Sequence, residues 1–71
     1  MEQLNVYLER NKGYGPNWRI RRVNGVELTR WWDGPVYHDI DVYCAEEVKR
    51  GGWKGAGVDL GERETSVTFW R

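Results

Sequence analysis

The dipeptide Asn24-Gly25 constrains the fold of this 71-residue chain more than any other feature. A type I′ turn needs two consecutive residues with positive φ, and Asn followed by Gly adopts this turn most readily. Apolar-rich runs flank the dipeptide on both sides in the stretch NWRIRRVNGVELTRWW, residues 17–32. The pattern therefore predicts a β-hairpin centred on these two residues.

The predicted turn also sets the register of the hairpin. The opposed residues are then Val23–Val26, Arg22–Glu27, Arg21–Leu28, Ile20–Thr29, Arg19–Arg30 and Trp18–Trp31. Because side chains alternate along a strand, one face looks like core and carries Trp18, Ile20, Thr29 and Trp31, with an Arg22–Glu27 ion pair near the turn. The other face carries Arg19, Arg21, Arg30, Val23, Val26, Leu28 and Trp32. Two arginines directly opposite each other are unfavourable, so this second face should be solvated or meet an anionic partner.

The rest of the chain predicts a small α+β domain spanning residues 1–71. Alternating apolar residues indicate strands at Leu4–Leu8 and Thr65–Phe69, and the first of these should pair with the hairpin. Helix formers, with acids before bases and Gly51-Gly52 as the C-terminal cap, predict one short helix at about residues 42–50, docked on the sheet through Ala45 and Val48. The expected fold is an antiparallel sheet of four to five strands with this helix on one face. A small half-open β-barrel is the alternative.

Two further segments have distinct patterns. Residues 36–43 alternate and predict a strand with Val36, His38, Ile40 and Val42 on its core side and Tyr37, Asp39, Asp41 and Tyr43 on its outer side. Residues 51–61 hold five of the nine glycines. Such a segment is a loop, or an irregular strand that lets the backbone approach another group closely.

The chain has little equipment for catalysis. It contains one His, one Cys and one Ser, so a nucleophilic triad would have to combine His38 with Cys44 or Ser66. A structural zinc site needs about four Cys or His ligands, which this chain lacks. Asp39 and Asp41 could meet a divalent ion, but a solvated face explains them more simply. We therefore expect no enzymatic activity and no cofactor.

Two surfaces are candidates for binding a partner. The first is basic and aromatic: Arg19, Arg21, Arg30 and Trp32. The second is acidic and aromatic: Tyr37, Asp39, Asp41 and Tyr43. Tyr14, in the glycine-rich segment 11–17, is a further contact candidate unless it folds back over the core. Arg and Trp are the residues richest in interface hot spots, which favours a protein partner. The alternatives are single-stranded nucleic acid and an unoccupied basic face with Trp32 under the 11–17 loop.

Charge and length bear on the partner as well. Eleven basic residues balance eleven acidic ones, unlike the uniformly basic surface of a general nucleic-acid coat. No signal peptide or membrane-spanning stretch is visible, and a lone cysteine suits a reducing compartment. We therefore expect a cytoplasmic module that occupies a surface of a larger protein or protein complex. By analogy with other tiny proteins, it would be a viral or mobile-element inhibitor or an accessory regulator. The pattern leaves the oligomeric state open, including whether a second copy covers an exposed strand edge.

Overall fold

A computed structural model describes residues 2–10 and 17–71 and has one helix and an antiparallel sheet. In chain order the elements are β1 (Gln3–Arg10), β2 (Trp18–Val23), β3 (Val26–Glu27), a 3₁₀ helix (Trp31–Asp33), β4 (Val36–Tyr37), α1 (Ile40–Gly51), β5 (Gly55–Leu60) and β6 (Glu64–Trp70). The order across the sheet is β3-β2-β1-β6-β5, and β4 also pairs with β2. The predicted α+β class is confirmed, with six strands in the described residues instead of four or five. The described strands form an open sheet and not the half-open barrel.

The centre of the sheet is the antiparallel pair β1 and β6, whose alternating side chains build the core. On the inner face Val6 lies opposite Val67, and Leu4 lies opposite Phe69. Leu8 and Phe69 are fully buried, and α1 covers this face with Ile40 and Tyr43. The alternate residues of β1 and β6 point their side chains to the opposite face of the sheet, here called the outer face. The predicted strands at both ends of the chain are therefore confirmed.

The hairpin forms around the predicted turn, with φ of 52° at Asn24 and 81° at Gly25. Its first two residue pairs are the predicted ones, Val23–Val26 and Arg22–Glu27. The predicted pairing continues to Arg21–Leu28, where the Leu28 N–H donates to the Arg21 carbonyl at 2.9 Å, and it is wrong beyond Leu28. Arg30 adopts a left-handed conformation that leads into the 3₁₀ helix, and β4 takes the place beside β2 that was expected for residues 29–31. Trp18 consequently lies opposite Tyr37, and Arg19 lies opposite Val36, which avoids the predicted contact between two arginines.

A β-bulge at Arg21 reverses the predicted faces of Arg22 and Val23, whereas Trp18 and Ile20 lie on the core side as predicted. Tyr7 lies opposite Arg22 but Leu8 lies opposite Ile20, so Arg21 is an extra residue with no partner position in β1. One extra residue moves the side chains that follow to the opposite face. Arg22 therefore joins the outer face, and Val23 joins the inner one opposite Val6. Both positions are the reverse of the prediction, and the predicted Arg22–Glu27 ion pair is replaced by one between Arg21 and Glu27.

The helix begins earlier than predicted and shortens the preceding strand to Val36–Tyr37. The Asp39 side chain caps the helix by accepting a hydrogen bond of 2.8 Å from the Asp41 backbone N–H. Gly52 ends it with a φ of 66°, as the Gly-Gly pair predicts. No helix in the described parts of the chain is long and apolar enough to cross a membrane.

Several predicted contacts of this region need correction. Val48 packs against the core as predicted, but Ala45 is exposed. His38, expected on the core side of a strand, is exposed and its Nδ1 lies 2.7 Å from Asn17 Oδ1. Of the five tryptophans, Trp18 is buried and Trp53 packs against the core, whereas Trp31 is only half-buried and does not belong to it.

Residues 55–60, predicted as loop or irregular strand, form the regular strand β5 at one end of the sheet. The expected close approach is present at Gly55. A Cβ atom there would lie 2.6 Å from Cζ2 of Trp70, so only glycine leaves room for the indole ring across the strand.

Candidate functional site

Residues 26–37, here named the edge segment, run along the free side of β2. Beyond β3 the Leu28 N–H donates to the Arg21 carbonyl at 2.9 Å, and β4 resumes pairing at Arg19 and Trp18. Between these two attachments the chain loops out as the 3₁₀ helix. The Gly34 N–H donates to the Trp31 carbonyl at 3.1 Å and closes that turn. The loop is thus fixed at both ends and internally hydrogen-bonded.

The edge segment exposes much of the apolar surface of the protein. Of the eight large hydrophobic residues that are exposed in the described chain, four lie here: Val26, Leu28, Trp32 and Val36. The Trp32 side chain is 55 % exposed, which is unusual for a residue that proteins tend to bury. Solvent-facing apolar groups on one ordered segment are characteristic of a contact surface.

The ring of Trp31 packs against the ring of Trp32. The two rings meet edge to face with their centroids 6.0 Å apart, and the guanidinium of Arg21 lies 4.8 Å from the Trp31 ring centroid. Both geometries are favourable for aromatic rings. Trp32 thus packs against Trp31, which in turn contacts Arg21 of β2.

The arginines of this region bind acids of their own chain. Arg21 forms ion pairs with Glu9 and Glu27, and its hydrogen bonds to these carboxylates, first to Glu9, raise its pKa. Arg30 donates from Nη2 and Nε to Oδ2 of Asp33 at 2.8 and 3.1 Å. The positive charges of Arg21 and Arg30 are therefore largely neutralised by carboxylates of the same chain.

The four residues of the first predicted surface lie in two neighbouring segments. Arg19 and Arg21 lie in β2, and Arg30 and Trp32 lie in the edge segment beside that strand. Arg19 is half-buried between Glu9 and Val36, and Arg21 holds Glu9 and Glu27 together. Arg30 and Trp32 remain exposed. Sequence reasoning did not include Val36, whose position follows from the return of the chain to β2 after Asp33-Gly34-Pro35.

The second predicted surface does not exist as a strand face. Asp39 and Asp41 belong to the start of α1, where Asp39 is the capping residue. Tyr43 is buried, with 2 % of its surface exposed, and it contacts Tyr37 at a ring distance of 4.6 Å. Tyr43 is thus a core residue, and its predicted position on an exposed strand face is wrong. The two tyrosines line a groove of about 470 Å³ whose other walls are the helix residues Glu46, Glu47, Lys49 and Arg50. Tyr14 lies outside the described residues.

The structure shows how the candidate nucleophiles and metal ligands are placed among the described residues. His38 is engaged with Asn17, and Cys44 is a half-buried helix residue whose thiol pKa is raised by burial, the opposite of an activated nucleophile. Within the described ranges, no three of His, Cys, Asp and Glu converge on a point where they could hold a metal ion. Comparison of the chain with protein-family models, with curated proteins and with solved structures gives no match in any of the three.

Proposed function

We propose that this chain is a non-enzymatic protein-binding module that docks its edge segment on a larger protein or protein complex. The observation that carries the proposal is the exposed Trp32, held on a packed turn with Leu28 and Val36 exposed along the same segment. Tryptophan is among the residues most enriched in interface hot spots. Since its support is already ordered, binding would cost little additional conformational entropy.

The charge pattern favours protein over nucleic acid as the partner. A phosphate backbone would have to compete with Glu9 and Glu27 for Arg21, and with Asp33 for Arg30. Nucleic-acid affinity depends on cations that release counterions from phosphates, and internally paired arginines supply less of this free energy. A protein surface can accept the ion pairs unchanged at the rim of an apolar contact.

Single-stranded nucleic acid remains the second candidate, because of Arg22. Its guanidinium lies 4.8 Å from the Tyr7 ring centroid on the outer face, and it forms no ion pair with another described residue. An arginine beside an aromatic ring can bind a phosphate while a base stacks nearby. This pair lies on the sheet and not in the edge segment, so the two candidates can be tested separately.

The proposed setting is the cytoplasm, and the proposed role is that of an inhibitor or accessory regulator. The free thiol of Cys44 is compatible with a reducing compartment. A viral or mobile-element origin is an analogy that rests on small size and aromatic content alone.

A photo-crosslinking amino acid tests the proposed surface directly. Placed at position 36, which leaves Trp32 intact, it should join the chain to a discrete host protein in cell lysate. Position 42 is the matched control, because Val42 is also an exposed valine but lies on α1. Crosslinking of the same proteins from both positions, or of RNA from position 36, would contradict the proposal.

Once the partner is identified, Trp32→Ala should weaken its binding by about 2 kcal/mol or roughly thirtyfold, as for other hot-spot tryptophans. The thermal midpoint should hardly change, since substitutions at exposed positions usually alter stability by less than about 0.5 kcal/mol. Isothermal titration calorimetry and thermal unfolding measure the two effects. Val42→Ala should change neither, and a Trp32→Ala variant that binds normally would exclude the edge segment as the main contact.

Titration with mixed-sequence single-stranded RNA and DNA tests the second candidate. Salt-sensitive quenching of tryptophan fluorescence that is lost in Arg22→Ala would support nucleic-acid binding through the outer face. An unchanged signal at low salt would exclude it.

A further inference from the structure

The strand β5 is the long free edge of this sheet. It forms one end of the strand order, has six residues and pairs with β6 without a register shift. At the other end β3 and β4 have two residues each. Proteins usually protect a long edge with charged side chains, Pro or a bulge, and the single such feature of GAGVDL is Asp59. No described strand pairs with the edge of β5 that faces away from β6.

The hydrogen bonds elsewhere in the sheet show which groups β5 presents outward. The Arg71 N–H donates to the Glu2 carbonyl at 3.2 Å, and the Arg10 N–H donates to the Arg63 carbonyl at 2.8 Å. In these bonded pairs, the backbone N–H and C=O groups of the odd-numbered β6 residues point toward β1. The backbone groups of the even-numbered β6 residues therefore point toward β5. The even-numbered residues of β6 pair with odd-numbered ones in β5. The outward N–H and C=O groups of β5 therefore belong to Ala56, Val58 and Leu60.

The same three residues present apolar side chains. Val58 and Leu60 lie opposite the buried Val67 and Thr65, on the face that α1 covers elsewhere. They are nevertheless 43 % and 69 % exposed. The edge thus offers unpaired backbone and an apolar strip together, which is the combination that strand addition requires.

We infer that a second copy of the chain pairs with this edge, strand β5 against strand β5, antiparallel and centred on Val58. In this register Val58 faces its own counterpart, Ala56 faces Leu60 of the second copy, and Gly57 faces Asp59 of the second copy. The three outward residues of each copy all meet outward residues of the other, so every exposed backbone group between them finds a partner. The apolar strips meet on one face of the joined sheet.

Self-complementarity selects this register and this occupant, because Ala56, Val58 and Leu60 of one copy all meet the same three residues of the other. Shifting the centre to Asp59 would oppose two carboxylates. Shifting it to Gly57 would leave Leu60 of each copy without an outward residue of β5 opposite it. A twofold axis through Val58 makes the contact self-complementary, so the assembly closes as a dimer.

The mass of the protein in solution tests the inference. Sedimentation equilibrium over a concentration series up to the millimolar range should show a reversible monomer–dimer equilibrium. Val58→Lys should raise the dimer Kd at least tenfold, because it sets two like charges opposite each other. Val42→Lys adds the same charge to an exposed position on α1 and should leave the Kd unchanged. A monomer at all concentrations, open assemblies that keep growing, or equal Kd values for both variants would overturn the inference.

A disulfide measures the register even if Val58→Lys does not fold. In a Cys44→Ala background, Val58→Cys places two thiols at the dyad, where paired Cα atoms are about 5.5 Å apart and a bridge can form. Leu60→Cys places its thiols four residues out of register, about 13 Å apart along the strands. Oxidation should therefore link the first variant and not the second. Equal crosslinking of both variants would reject the register.

The dimer and the proposed partner site lie at opposite ends of the sheet. Trp32→Ala should consequently leave the dimer Kd unchanged, and Val58→Lys should leave the edge segment intact. Failure of one proposal is thereby distinguished from failure of the other.

Discussion

Phe69→Ala is expected to lower the free energy of unfolding by about 3–5 kcal/mol, the usual effect of removing a buried phenyl ring. Phe69 has no exposed surface and lies on the central strand β6, opposite Leu4 and Ala56. Its ring meets Tyr43 edge to face at 6.0 Å and Trp53 at 6.1 Å. The substitution would leave a cavity between the sheet and α1 that neither strand can close without losing its register.

The effect is large relative to the whole stability of so small a protein. At about 0.05–0.15 kcal/mol per residue, a domain of this length is stable by roughly 4–11 kcal/mol. The variant should therefore lose at least about a quarter of the stability, and it would be unfolded if the stability lies at the lower end of this range. Urea unfolding followed by tryptophan fluorescence measures the loss. Ser66→Ala changes an exposed residue of the same strand and should alter stability by less than about 0.5 kcal/mol. A loss below about 1 kcal/mol for Phe69→Ala would be inconsistent with a core centred on this ring.

Local sequence signals predict the elements whose geometry depends on near neighbours. The alternation in β1 and β6, the Asn24-Gly25 turn and the glycine cap at Gly52 each have a cause within a few residues. The bulge at Arg21 has no such signal, because its position depends on how β1 and β2 align over the core. Since a bulge reverses every face that follows, the predicted positions of Arg22 and Val23 failed together.

The residues of the first predicted surface lie together in the structure and those of the second do not form a strand face, for a related reason. Arg19, Arg21, Arg30 and Trp32 lie along one edge because the turn brings the segments on its two sides together, although most of the charge is paired internally. Residues 36–43 alternate like a strand, yet Ile40, Tyr43, Cys44 and Val48 are also spaced as one helix face. Short apolar runs fit both periods, and the capping bond of Asp39 begins the helix at Ile40. Tyr43 accordingly turned inward.

The burial of Tyr43 should make the protein sensitive to alkali. Burial, together with the negative charge of Glu47, raises the pKa of Tyr43 far above the ordinary value of 10.0. Burial and the nearby Glu64 raise the pKa of Tyr7 as well. Both groups hold their protons more tightly in the folded protein than in the unfolded chain. Their contribution to stability is therefore complete below pH 10 and is lost as the pH rises toward the folded pKa values.

The sign and size of the pH dependence follow from proton linkage. Above pH 10 the unfolded chain releases the Tyr43 proton while the folded protein keeps it, so stability falls by up to about 1.4 kcal/mol per pH unit from this group. Urea unfolding at a series of pH values up to about pH 11.5 measures the slope. Tyr43→Phe keeps the ring in the core and removes the titrating group, so its stability should fall less steeply in this range. Equal slopes for the two proteins would mean that Tyr43 titrates in the folded state as it does in the unfolded chain, and would contradict its burial beneath α1.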